Sequence, residues 1–266
     1  MNKAKQKGFL FENLSIDFKK IIENSKKNVR RIKSGLHTSL TKKNITVLNA
    51  EARFVDKSSI EIISKSDKKI ITSKNFIIST GSKPYFPPDI QPDGNIVIDS
   101  NHVLNSYELP EEICIVGGGY IGIEFAYLYS SFGTKVSIIE NQESILSSID
   151  TEIVTTLKKV YKKRGINIYE STSIKNLTKT TDGVEIKVSN PDLSEILKFD
   201  KILVSTGRIP NTESLGLESA GILTDNFGFI KVDKNYKTNI KDIYAIGDVI
   251  GPPMLAHKAS EEAFVV

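Results

Sequence analysis

The stretch ICIVGGGYIGIEFAYLYSSFGTKVSIIE, residues 113–140, constrains the fold of this chain more than any other. A short apolar run, ICIV, leads into Gly117, Gly119 and Gly122 at G-x-G-x-x-G spacing. YIGIEFAYLYSSFG then has helical length and a glycine stop, and KVSIIE is apolar again. Strand, glycine turn, helix, strand is the βαβ unit, whose crossover makes the two strands parallel. Gly117 permits the tight turn, Gly119 lets a pyrophosphate approach the backbone, and Gly122 lets the helix pack on the strand. The start of the helix offers unpaired N–H groups and its positive dipole end to phosphate.

Glycines alone are common in turns, and Glu140 narrows the reading. It ends the second strand 23 positions after Gly117, where a carboxylate accepts hydrogen bonds from the adenosine ribose hydroxyls. A 2′-phosphate would meet Glu140 as a like charge, and VSIIENQESIL contains no arginine to offset it. NAD is therefore favoured over NADP. The candidate cofactor-binding turn comprises Gly117, Gly118, Gly119, Tyr120, Ile121, Gly122, Ile123 and Glu124, with Glu140 opposite.

The flanking segments extend this unit into an α/β sheet. DTEIVTTLKKVYKKRG predicts a helix with Asp150 as N-cap and Gly165 as stop. TTDGVEIKV predicts a hairpin with an Asp-Gly turn. Upstream, Ser15 to Leu40 predicts one long helix. After it, NITVLNAEARFV, SSIEIIS and KKIITSKNFIIST predict an antiparallel meander ending in a buried strand, Phe76 to Ser79. SKPYFPPDIQPDGN continues neither helix nor sheet and marks a domain connection. NFIISTGSKP and DKILVSTGRIP both run from an apolar strand into Ser-Thr-Gly-x-x-Pro. We read this echo as two related nucleotide-binding units.

Composition excludes several classes. The 266 residues are 39% hydrophobic and 26% charged, an ordinary globular balance. The net charge of +4 comes from lysine, and its densest run is KKNVRRIK. Ile22, Val29, Ile32 and Leu36 recur there at helical spacing, so the basic residues are expected on the solvated side of an amphipathic helix rather than on nucleic acid. One cysteine, Cys114, excludes an internal disulfide. With no signal peptide and no apolar run of spanning length, the expected setting is cytoplasmic, without a membrane partner. No metal-ligand spacing occurs, and His37 and His102 read as surface or loop residues.

Taken in order, STGSKP, GGGYIGIE, STGRIPN, TNIKDIYAIGDV and GPPMLAHKASEEA resemble the pyridine nucleotide-disulfide oxidoreductases across nearly the whole chain. The Met-Leu-Ala-His-Lys stretch is more characteristic of the dihydrolipoamide dehydrogenase branch. The resemblance implies a Rossmann-like NAD domain (108–235) inserted in an FAD domain of the FAD/NAD(P)-binding fold, the latter formed by 1–107 and the return segment 236–266. It implies that Asp248 holds the ribityl hydroxyls of FAD and that Met254, Leu255, Ala256 and His257 run along the flavin. Thr80, Gly81 and Ser82 would close the adenine end of the FAD site, and Gly207 and the backbone near Ile174 would lie beside NAD. In the implied reaction dihydrolipoamide reduces a cysteine pair, electrons pass to FAD, and the flavin delivers hydride to NAD. The implied partners are lipoyl-bearing 2-oxoacid dehydrogenase complexes or glycine cleavage components, and the implied assembly is a homodimer.

The chain also departs from that pattern. No second G-x-G-x-x-G precedes residue 110, and no two cysteines stand four residues apart. The interface domain with its His-Glu acid-base pair is not recognised. His257 and Glu262 have that pair's spacing but lie in the flavin-lining stretch, so no catalytic residue is assigned. The expectation is a truncated member, inactive alone: an incomplete FAD domain around a whole NAD domain. The alternatives are a non-catalytic dinucleotide-binding module or another disulfide reductase of the same superfamily.

Overall fold

The computed structural model describes residues 15–64, 67–191 and 193–266. Helix α1 (Phe18–Lys42) forms where the apolar spacing predicts it. Its first turns are docked: Phe18 meets Phe132 edge-to-face at 5.4 Å, and Lys26 Nζ lies 4.2 Å from the centre of the Tyr107 ring. Of the apolar stripe only Ile22 is buried; Val29, Ile32 and Leu36 are 52%, 69% and 61% exposed. The helix is therefore amphipathic as expected, but the second half of its apolar face is bare.

Strands β1 (Glu51–Asp56), β2 (Ser59–Ile63) and β3 (Lys68–Thr72) form the expected meander, which starts at Glu51 rather than at Asn44. The next strand, β4 (Phe76–Ile78), is not its fourth member. The proline-rich connection holds β5 (Ser82–Pro84) and leads to β6 (Val97–Ile98) and the short α2 (Ser100–Asn105). The βαβ unit follows as β7 (Glu112–Val116), α3 (Tyr120–Phe132) and β8 (Lys135–Ile139). Gly133 ends α3 in the left-handed conformation that a β-carbon would disfavour, at φ 96°. Helix α4 (Thr151–Lys163) is capped by Asp150, whose carboxylate accepts from the amides of Glu152 and Ile153.

After β9 (Asn167–Tyr169) comes a second meander, β10 (Ser173–Thr180), β11 (Gly183–Asn190) and β12 (Leu193–Phe199). Thr180 pairs with Gly183, so Thr181 and Asp182 make the turn and Gly183 starts the strand. Glycine is needed there because a β-carbon would collide with the Phe199 carbonyl. The chain continues through β13 (Lys201–Val204), β14 (Arg208–Pro210), α5 (Leu217–Ala220), β15 (Ile243–Ala245), a 3₁₀ turn at Gly247–Ile250 and α6 (Ala256–Val265).

The chain divides into two compact units. One takes in the described chain up to Ser39 together with Phe86–Thr206. Its parallel sheet has the order β6-β13-β7-β8-β9 and is apolar on both faces. Alternate residues of β7 serve different cores: Ile113 and Ile115 pack with α3 and α4, whereas Cys114 and Val116 pack under the second meander. An unbroken apolar run is what a strand covered on both sides requires. Cys114 is fully buried, and burial pushes its thiol well above the usual range.

The other unit takes in Leu40–Tyr85 and Gly207–Val266, so residues 207–235 group with the first meander, whereas the sequence reading drew its boundary at 235. Here β4 pairs in parallel with β15, and Phe54, Ile78, Leu217, Ile230, Ile243 and Val249 build the core. The first Ser-Thr-Gly-x-x-Pro copy ends at Pro84, just before the division at 85/86, and the second, 205–210, spans the division at 206/207. Their ends, β5 and β14, pair antiparallel, with Ser82 opposite Pro210 and Pro84 opposite Arg208. The repeat is visible in the elements as well: each copy follows a three-stranded meander and a strand in parallel pairing.

Candidate cofactor-binding sites

In the first unit the glycine turn joins β7 to α3. The first α3 bond runs from the Ile123 amide to the Gly119 carbonyl, so the amides of Tyr120, Ile121 and Gly122 precede the helical ladder, as at any helix start. Gly117 has φ 105°, and a β-carbon on it would stand 2.5 Å from the Ser205 carbonyl oxygen. A β-carbon on Gly122 would strike the Gly117 carbonyl and lie 2.9 Å from Ser205 Oγ. Ser205 itself donates to the carbonyls of Val116 and Gly117 at 3.0 and 3.1 Å. The serine of the second echo copy therefore locks the turn, a role that the sequence reading missed although it singled out the motif. Gly119 differs: a β-carbon there would meet nothing within 4 Å. That open backbone fits the approach of a pyrophosphate.

Glu140 is 8% exposed. Its Oε2 accepts the Gly118 amide at 2.7 Å, and its Oε1 accepts the Gln142 amide at 2.8 Å. A carboxylate has about four lone-pair sites, so each oxygen keeps capacity for a ribose hydroxyl. Gly118 is thus more than a spacer. A β-carbon on it would lie 2.6 Å from Ile145 Cγ2 and 3.2 Å from Glu140 Oε2. Beside Glu140 opens a shallow cavity of about 500 Å³ lined by Asn141, Gln142, Glu143, Ser144 and Ser147. Ile123 points its side chain into the core, and its carbonyl accepts the Tyr161 hydroxyl at 2.7 Å. Tyr120 and Glu124 are exposed. Ile174 lies on β10 opposite Val188; two residues before it, the Thr172 amide donates to the Glu140 carbonyl at 2.9 Å.

In the second unit Asp248 sits in the 3₁₀ turn after Gly247. Its Oδ2 accepts the Ser82 hydroxyl at 2.6 Å, and Ser82 Oγ accepts Arg208 Nε at 2.7 Å. Arg208 Nη2 also donates to the Ser82 carbonyl at 2.7 Å. Among the described residues Asp248 Oδ1 takes no hydrogen bond, an oxygen free for a polyol hydroxyl. Thr80 Oγ1 donates to the Asn211 carbonyl at 2.9 Å, and the Asn211 amide donates to the Gly81 carbonyl at 3.0 Å. Gly207, at φ 135°, accepts the Tyr85 amide at 2.9 Å. Arg208 escaped the sequence reading of the site because its partner, Ser82, is 126 residues away.

Met254 and Leu255 lead into α6, and Ala256 and His257 lie in its first turn. Glu262 is 1% exposed; its Oε2 accepts the Gly247 amide at 2.6 Å, and its Oε1 lies 2.6 Å from Lys258 Nζ. The residue with acid-base spacing from His257 therefore anchors the turn that carries Asp248. Among the described residues no group of three or more His, Cys, Asp or Glu could hold a metal ion, and no helix is long and apolar enough to cross a membrane.

Known proteins are similar to this chain in sequence and fold. The dihydrolipoyl dehydrogenase of Geobacillus stearothermophilus is 36% identical over 262 residues, 98% of this chain and 56% of its own length. That of Buchnera aphidicola from Schizaphis graminum is 36% identical over 263 residues, again 98% of this chain and 55% of its own. The HOCl-induced flavoprotein disulfide reductase RclA of Escherichia coli superposes with a TM-score of 0.84 at 28% identity, covering 98% of this chain and 57% of that one. LpdA of Mycobacterium tuberculosis, at 23% identity, shares the fold with a TM-score of 0.90. This chain spans about half the length of the curated relatives it matches. The family pattern of the pyridine nucleotide-disulphide oxidoreductases runs from residue 4 to residue 263, through the glycine turn, Glu140 and Asp248 alike, and the chain belongs to that family.

Proposed function

We propose that the chain carries the NAD-binding part and a portion of the FAD-binding part of a dihydrolipoyl dehydrogenase. FAD and NAD(H) are the cofactors of this family of disulfide oxidoreductases. The glycine turn (117–124) and Glu140 would hold the adenosine and pyrophosphate of NAD, with Ile174 and Gly207 beside it. Asp248, Thr80, Gly81, Ser82 and Met254–His257 would contact FAD. The observation that carries this reading is the Glu140 carboxylate, fixed against the Gly118 amide at the end of β8 with oxygen lone pairs to spare. The whole reaction would take electrons from a lipoyl group on a 2-oxoacid dehydrogenase or glycine cleavage component, in the cytoplasm and as a homodimer.

Titration of the chain with NADH and NADPH tests the proposal. Preferential binding of NADH supports it, and equal affinity removes Glu140 from its role at the ribose. A second reading, a dinucleotide-binding module without redox activity, is favoured by one observation: the chain's single cysteine is fully buried in β7. Dihydrolipoamide-dependent reduction of NAD by the chain alone would exclude it.

A further inference from the structure

A set of contacts outside the glycine motif converges on the same turn. Lys158, on α4, donates Nζ to Glu170 Oε2 at 2.7 Å and to Ser144 Oγ at 2.9 Å. Glu170, just after β9, accepts the Ile145 amide on Oε1 at 2.7 Å. The loop so held runs from the end of β8 to α4, and Ser144 lines the cavity beside Glu140. Ile145 is fully buried and presses on Gly118, and the Leu146 amide donates to the Gly118 carbonyl at 3.0 Å. Leu146 has φ 49°, a left-handed conformation that a leucine keeps only when its surroundings hold it there. Gly118 in turn donates to Glu140. From Lys158 to Glu140, every link is one hydrogen bond or one close contact.

We propose that Lys158 and Glu170 are positioning residues that brace the 141–149 loop against the glycine turn and thereby set the adenosine end's preference for a free ribose 2′-hydroxyl over a 2′-phosphate. The proposal rests on the NAD reading of the glycine turn. Two hydroxyl bonds to a carboxylate depend on its direction, and repulsion of a phosphate depends on its distance. Both are set by where the Gly118 amide and Ile145 hold Glu140. The Lys158–Glu170 pair is partly exposed, and such pairs contribute little to global stability. A purely structural role would therefore leave cofactor selectivity untouched.

The test is titration of NADH and NADPH, followed by nicotinamide fluorescence, into the unaltered chain and into Lys158→Met, Glu170→Ala, Lys158→Arg and Glu140→Ala. Loss of a charge-assisted brace should weaken NADH about five- to ten-fold in the first two variants and NADPH by less than about two-fold, so that the ratio narrows. Lys158→Arg should keep the original ratio, and thermal melts establish that the variants are folded. Equal weakening of both cofactors, or an unchanged ratio in both Lys158→Met and Glu170→Ala, overturns the brace alone. An unaltered chain without preference, or a Glu140→Ala variant that keeps it, overturns the NAD reading beneath it.

Discussion

Gly122 shows how little freedom the glycine turn has. An alanine methyl there would enter the Gly117 carbonyl and crowd Ser205 Oγ at 2.9 Å, and neither partner is the far end of a long side chain that could swing away. Gly122→Ala should cost about 1–3 kcal/mol in a denaturant titration and abolish NADH binding; a variant of unchanged stability would mean that α3 can slide on β7. Gly119→Ala meets nothing within 4 Å, so it should leave the melt unchanged while weakening NADH. The spacing of the three glycines and Glu140 was legible in the sequence because a local motif encodes a local turn. Ser205, Arg208 and Glu262 were not, because their partners are fixed by long-range strand pairing and helix docking. His102 lies at the surface as expected, but its partner was not legible: it makes a capping box with Asp99 at the start of α2, with Nδ1 2.6 Å from Oδ1.

Single elements carry two further expectations. On α1 the face that buries Ile22 continues through Val29, Ile32 and Leu36 into solvent, and apolar surface of this kind promotes association. The chain should sediment with concentration-dependent mass, and Ile32→Glu with Leu36→Ser should shift it toward monomer while changing stability by no more than about 0.5 kcal/mol. Unaltered self-association would acquit the helix. The periodicity of α1 was legible in the sequence, but what covers its face was not, since a stripe records burial without naming the partner. The second expectation concerns the turn entering β6. Burial raises the pKa of Asp93, but the Lys179 ammonium and the amides of Asn95, Val97 and Ile96 outweigh it and hold the carboxyl down at about 2. In the meander, the Ser59 hydroxyl and the amide and hydroxyl of Ser58 hold Asp56 at about 2 as well. A carboxyl whose folded pKa lies below its unfolded value of about 3.9 stabilises the fold above that value, and the contribution fades as pH falls toward the folded pKa. Melting temperature should therefore fall between about pH 4 and pH 2, and Asp93→Asn should melt lower at neutral pH with a shallower acid slope. An identical slope in the variant would remove Asp93 from the acid limb.

At the scale of the whole chain, the α/β class, the parallel sheet and the family were all legible, since motif order survives where geometry is hidden. The division into units was read differently, because residues 207–235 carry no local signal that they pack with Phe54 and Ile78 rather than with the parallel sheet. What these 266 residues can do alone follows from counting reactive groups. Disulfide exchange needs one sulfur to attack and another to leave. The chain has one cysteine, buried in β7 with its thiol pushed up by burial; it can neither ionise readily nor find a partner within the chain. In the proposed reading Asp248, ordered by Ser82 and Arg208, would meet the ribityl chain, but no second G-x-G-x-x-G offers a helix start to the FAD pyrophosphate, the most charged part of that ligand. The glycine turn and Glu140 do not depend on those groups. Purified as these 266 residues, the protein should elute colourless, bind NADH, and show no NAD reduction with dihydrolipoamide. Absorbance near the flavin bands, NADH fluorescence and a lipoamide assay on one preparation separate the three outcomes. Stoichiometric FAD in the eluate would show that the second unit holds the flavin without a phosphate turn, and steady lipoamide turnover would show that a single buried thiol suffices. Either result would overturn the inference from missing groups to missing chemistry.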